Sequence, residues 1–139
     1  MKTLRQLIYA TLIVLMMSLA VSAQDKTAQP QPAGPVISHQ ATFPITVPGG
    51  EYDLKTLVFD FQPGAAVPLH MHGGHVVATV LSGEITLTEK GTTRVLKTGE
   101  SWTEDPGAEH SAMNAGTVPA RVAVTMILPK GAEATKMVK

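Results

Sequence analysis

From Val36 onward the chain reads as short runs in which apolar residues fall at every second position, each run closed by a turn signal. Ala41 to Val47 carries Phe43, Ile45 and Val47 in phase and stops at Pro48-Gly49-Gly50. Leu54 to Phe61 sets Leu57, Phe59 and Phe61 against Thr56, Val58 and Asp60, then meets Pro63-Gly64. Val76 to Leu81 is a run of β-formers ended by Ser82-Gly83. Glu84 to Glu89 alternates Ile85 and Leu87 with Thr86 and Thr88, and Lys90-Gly91 reads as a hairpin turn. Thr92 to Lys97, Glu100 to Glu104 around Trp102, and His110 to Ala115 are further short strands, parted by Thr98-Gly99 and Asp105-Pro106-Gly107. Val118 to Leu128 is the longest, with Val122, Val124, Met126 and Leu128 in phase, and Pro129-Lys130-Gly131 ends it. This pattern predicts an all-β domain: one small antiparallel β-barrel or jelly roll. No stretch before the end shows a helical period. Residues 132–139 read as a C-terminal tail able to form one frayed turn of helix.

The beginning of the chain follows a different rule. Lys2 and Arg5 precede the largely apolar stretch Leu7 to Val21, and Val21-Ser22-Ala23 offers small residues where a signal peptidase would read them. The stretch is shorter than the roughly 20 residues that span a bilayer. The reading is a secretory signal peptide over residues 1–23, cleaved after Ala23, which places the protein in the periplasm or outside the cell with no stable membrane anchor. Residues 24–35, rich in Pro, Gln and Ala, form a disordered linker, and the β domain covers residues 36–131. The chain has no cysteine, so neither a lipid-anchored cysteine nor a disulfide is available, and an exported fold must rest on its own core. Loss of Lys2 and Arg5 takes the formal charge from 0 to −2, which gives no footing for nucleic acid. No phosphate-binding loop and no nucleophile elbow are present.

Chemistry concentrates in Gly64 to Gly83, GAAVPLHMHGGHVVATVLSG, which holds His70, His72 and His75. On a strand His70 and His72 point to the same face, and two imidazoles from one strand make half of a metal site. Further on, Gly99 is followed by Asp105-Pro106-Gly107, His110 (forty residues after His70) and Asn114. Together these resemble the two signature motifs of the cupin superfamily. The first is a glycine, five residues, His-x-His, three or four residues, Glu, six residues and a glycine. The second is a glycine, five residues, Pro-x-Gly, two residues, His, three residues and Asn. The resemblance spans Gly64 to Asn114. It implies a barrel that holds a divalent transition metal ion (iron, manganese, zinc, nickel or copper) on His70, His72 and His110, with a small-molecule ligand or substrate. Cupins of this size are often homodimers, and an exposed first strand suits pairing across a two-fold.

Two positions depart from the motifs. The first motif's glutamate falls on Val76, and the second motif's proline falls on Asp105, with Pro106 one place later. His75 is the candidate substitute ligand, provided Gly73-Gly74 bends the chain enough to turn it inward. Without a carboxylate, three neutral imidazoles leave a divalent ion at about +2, which favours an anionic or chelating ligand. The resemblance then allows a metal-dependent dioxygenase or isomerase acting on such a substrate, and as the alternative a non-catalytic module that binds a sugar or an organic acid. Met71 and Met113 read as packing residues rather than copper ligands. Trp102 reads as a core or barrel-mouth residue, Glu109 and His39 as solvated, and Asn114 as a strand-end hydrogen-bonder.

Overall fold

A computed structural model describes residues 32–139; the export signal and most of the linker expected from the sequence lie outside them. Ten strands follow in order: β1 (Val36–Val47), β2 (Gly50–Phe61), β3 (Ala66–Met71), β4 (His75–Ser82), β5 (Glu84–Glu89), β6 (Thr92–Lys97), β7 (Ser101–Glu104), β8 (His110–Met113), β9 (Ala120–Pro129) and β10 (Lys136–Met137). They build two five-stranded sheets, ordered β1-β2-β9-β4-β7 and β10-β3-β8-β5-β6. All pairings are antiparallel. The result is the jelly-roll sandwich that the alternating pattern predicts.

Period-two alternation accounts for the core. In β9, Ala120, Val122, Val124, Met126 and Leu128 face inward, and in β4 Val76, Ala78 and Val80 do the same. Leu57 and Phe61 of β2, Ala65 in the turn before β3, Ile85 and Leu87 of β5, Leu96 of β6 and Trp102 of β7 complete the cluster. The β5–β6 hairpin turns on Lys90 and Gly91, both at positive φ (49° and 75°), as a two-residue hairpin requires.

Three elements differ from the sequence reading. The first strand starts at Val36, not Ala41, and its Phe43 and Val47 stay exposed because β1 is the edge of its sheet. The last long strand starts at Ala120; Val118 lies in the loop before it. The tail is not helical. It runs along the edge of the second sheet, where β10 pairs with β3, and Ala132 and Ala134 pack on the core. Its alanines lack the periodicity that would have marked it as a strand, and its order comes from backbone bonds: Gly73 N–H to Glu133 O at 3.2 Å and Val138 N–H to Leu69 O at 3.0 Å.

Candidate metal centre

β3 and β8 are neighbours, and His70 is the direct cross-strand partner of His110. Directly opposed residues share a face. His72, two positions beyond His70, projects the same way from the end of β3. All three imidazoles are buried, and one ring nitrogen of each lies within 4.8 Å of the others. Ring centroids are 4.9 Å apart for His70 and His72, 4.2 Å for His70 and His110, and 5.1 Å for His72 and His110.

The inner nitrogens are set by what holds the outer ones. His70 Nδ1–H donates to Pro68 O at 2.7 Å, His110 Nδ1–H to Ala108 O at 3.1 Å, and His72 Nδ1–H to Ala134 O at 2.8 Å, with the Thr135 hydroxyl at 3.2 Å. A carbonyl only accepts, so each Nδ1 carries the proton. In the neutral ring, Nε2 is then left as the lone pair facing the interior. Such outer partners fix tautomer and orientation in histidine metal sites. His72 owes its own partners to the tail, which sequence reasoning had left outside the domain.

His75 stands apart from this cluster. The alternation of β4 that buries Val76 turns His75 outward; it is 68 % exposed, with its Nδ1 3.5 Å from Asp105 Oδ1. Gly73 and Gly74 do not aim it inward. A Cβ at Gly74 would collide with Ile127 O and one at Gly73 with Glu133 O, so these glycines let the chain pass close to β9 and the tail.

Into the space beside the histidines comes a residue not expected from the sequence, Glu104. It is 5 % exposed. Its Oε1 accepts from Trp102 Nε1–H at 2.7 Å and lies 3.1 Å from His110 Nε2. Its Oε2 lies 3.2 Å from His72 Nε2 and receives no well-directed hydrogen bond. The available signal was alternation: Trp102 points inward, so the residue two further along β7 does too.

Titration follows from these contacts. Burial lowers His70 to about 4; the Pro68 carbonyl opposes this, and the nearby His110 and His72 add to it. Burial also pulls His110 down, but the hydrogen bond and charge of Glu104, helped by the Ala108 carbonyl, reverse it and leave His110 raised. For Glu104, burial pushes upward, and the His110 and His72 imidazoles together with the Trp102 N–H outweigh it, holding the carboxyl well below the usual carboxylate range.

A stability profile follows for the metal-free protein. Between pH 6.5 and 4 the unfolded chain protonates at position 70 and the folded one resists, so stability is full above pH 6.5 and falls as pH drops toward 4. The 2.5-unit difference corresponds to roughly 3 kcal/mol. The His110 contribution has the opposite sign, present below pH 6.5 and lost as pH rises through its raised value. That of Glu104 is present above about 4.5 and lost as pH falls through its lowered value. Over pH 6.5 to 4.5, His70 therefore sets the slope among these three. Urea midpoints of chelator-treated protein should fall across that window, and a His70→Asn variant should flatten the profile.

The histidines line a cavity of about 250 Å³. Its walls are apolar: Leu57, Phe59, Phe61, Val122, Val124 and Met126 are among them. Apart from the three histidines and Glu104, the polar side chains that reach it are Thr135, Lys55 and the indole of Trp102. Met71 is partly buried and Met113 is 37 % exposed, and neither lines the cavity. Asn114 is buried, and its amide ties strand ends together: Nδ2 donates to Phe61 O at 3.0 Å and Val118 O at 2.8 Å, while Oδ1 accepts from Gly116 N–H at 3.0 Å.

Three buried imidazoles with inward-facing Nε2 atoms, lining an apolar cavity between the sheets of a jelly roll, define a β-sandwich protein with a group able to hold a metal ion at its core. A family model for the cupin domain matches residues 57–128, more than half the chain, and the protein belongs to the cupin superfamily. Solved structures agree. A conserved protein with a double-stranded β-helix domain from Klebsiella pneumoniae is 25 % identical with a TM-score of 0.59, covering 83 % of this chain and 93 % of its own. A protein from Thermotoga maritima described as a predicted oxalate decarboxylase is 24 % identical with a TM-score of 0.51, covering 67 % and 98 %. A cupin domain from Bordetella pertussis is 20 % identical with a TM-score of 0.54, covering 72 % and 98 %. No curated protein sequence matches.

Proposed function

We propose that the chain is an exported cupin that binds a divalent transition metal through His70, His72 and His110 and uses it to hold a small molecule in the apolar cavity. The observation that carries this reading is the shared orientation: three Nδ1–H groups tied to backbone carbonyls turn three Nε2 atoms toward the inside of the cup, where a metal would take the place of the proton that His110 shares with Glu104. Low proton affinity at His70 leaves that ligand free for metal at neutral pH. Three protein ligands leave coordination positions for a small molecule, as catalytic sites do. When bound, the metal would supply a Lewis-acid centre and, for a redox metal, a place for oxygen.

The residues around it support a restricted substrate class. Apolar walls exclude water and suit a small, largely apolar body. Lys55, half-buried in the lining, adds positive charge, which suits an acidic or chelating head group. A sugar would bring many hydroxyls to a wall with few partners for them, so of the two ligands considered for a binding module, the organic acid fits better. The predicted oxalate decarboxylase among the neighbours lends a precedent for an acid in this fold.

A metal-dependent oxygenase or isomerase is the enzymatic form of this reading. One feature favours the non-catalytic form: Glu104, the only carboxylate in the lining among the described residues, is anchored by Trp102 and packed against two histidines, so it is held in place rather than poised as a general base. The test starts from protein recovered from the cell envelope. Its N-terminus should begin at Gln24, and elemental analysis should give close to one transition metal per chain. Wild-type protein that carries no metal and cannot be loaded would sink the proposal. Oxygen uptake with thiols, diketones and catechols then separates enzyme from binder.

A further inference from the structure

We propose that Glu104 is a fourth ligand of this metal site, supplying from β7 the carboxylate that is absent at position 76. The proposal rests on the three-histidine reading above and adds to it a residue that neither signature motif contains.

Strand pairing is the first argument. β4 and β7 are antiparallel neighbours, and Val76 and Glu104 are direct Cα partners. Opposed residues share a face with Cβ atoms about 5 Å apart. A carboxylate at 104 therefore starts one strand to the side of one at 76 and enters the same cavity, which both residues line. β7 ends at Glu104, and the turn that follows is tied to the site by Gly107 N–H donating to His72 O at 2.9 Å.

The second argument is how the two carboxylate oxygens are used. Oε1 is anchored by Trp102 Nε1–H, which fixes the side chain. Oε2 is fully buried, lacks a hydrogen bond, and sits 3.2 Å from the nitrogen through which His72 would bind metal. A buried carboxylate oxygen without a partner is costly and uncommon. Ligand atoms bound at about 2.1 Å to one ion stand roughly 3.0 to 3.4 Å from one another in octahedral or tetrahedral arrangements. The separation of 3.2 Å from Glu104 Oε2 to His72 Nε2 falls in that range.

The consequence for selectivity is a change of charge. With Glu104 bound, a divalent ion would leave the site at about +1 rather than +2, which weakens the demand for a multiply charged ligand. A small acid with one carboxylate would neutralise the site completely.

Cobalt(II) is the probe, because its visible absorption reports both occupancy and the ligand set. Glu104→Gln keeps an oxygen for the Trp102 N–H and removes the charge. It should weaken Co²⁺ binding about 100-fold in chelator competition and change the absorption spectrum. Adding Val76→Glu to that variant should recover at least tenfold, because the carboxylate returns to the same face from the adjacent strand. Glu104→Asp keeps the charge but draws the oxygens back by about one bond length, and should weaken binding as well. Wild-type affinity and spectrum in Glu104→Gln would overturn the role of Glu104 and leave the histidine site standing. So would a weakened site whose spectrum is unchanged and which gains nothing from Val76→Glu. A wild-type protein that takes up no Co²⁺ would overturn the histidine site and Glu104 together.

Discussion

Replacing His110 with alanine is expected to abolish metal binding and to destabilise the metal-free fold by about 3–5 kcal/mol, the usual cost of removing one member of a buried charged pair. His110 is 2 % exposed and sits against Glu104 Oε1 at 3.1 Å. Its removal opens a hole in the core and takes away the largest of the influences that keep Glu104 ionised. The carboxylate would then face His72, with only the Trp102 N–H as a firm donor. The two effects can be separated. Urea unfolding of chelator-treated protein measures stability, and Co²⁺ titration measures the site. A His110→Ala, Glu104→Gln double variant should recover part of the lost stability, since no buried charge is left uncompensated, yet it should bind no metal. Coupling of about 1–3 kcal/mol in that cycle is the range for residues in direct contact. Additive losses would show that the two side chains do not support each other.

Asn114→Ala should cost about 3–5 kcal/mol with no direct loss of a metal ligand. The side chain is fully buried and makes three hydrogen bonds to backbone groups: the Phe61 carbonyl at the end of β2, the Val118 carbonyl ahead of β9, and the Gly116 N–H. Each net bond is worth about 1 kcal/mol, and a buried carbonyl left without a donor costs a further 1–3 kcal/mol. Asn114 also exchanges backbone bonds with Gly64 and Ala65, at 2.9 Å each, so the same residue joins β8 to the turn before β3. Thermal melts should show the loss, while Co²⁺ affinity of the folded fraction should stay within a few-fold of wild type. A melt unchanged from wild type would remove Asn114 from the stability argument.

Much of this was legible in the residues. Alternation in Leu57 to Phe61, in Glu84 to Glu89 and in Val122 to Leu128 marks the inward faces that the sheets bury. Glycine and proline mark the turns because few other residues take their backbone angles. His70, His72 and His110 could be selected because two spaced motifs pointed to them, and β3–β8 pairing brings them to one place. Glu104 could not be selected in the same way. Its partner at Val76 depends on the register between β4 and β7, and register is a long-range property that no local pattern encodes. Judged alone, a glutamate beside Asp105 reads as surface charge. The tail was missed for a related reason: Ala132 and Ala134 are too small to show a face, and their position depends on bonds to Gly73 and His72.

The tail carries one more implication, for how this protein is made and handled. The proton that orients His72 is held by Ala134 O and Thr135 Oγ1, which lie 62 and 63 residues further along the chain. A domain whose tail is undocked offers two imidazoles with their backbone partners in place and a third that is free to rotate. Orientation of the third imidazole is thereby coupled to docking of the tail. A purification tag fused after Lys139 would begin only a few residues from the groups that position His72, so recombinant protein is better tagged at the other end of the domain.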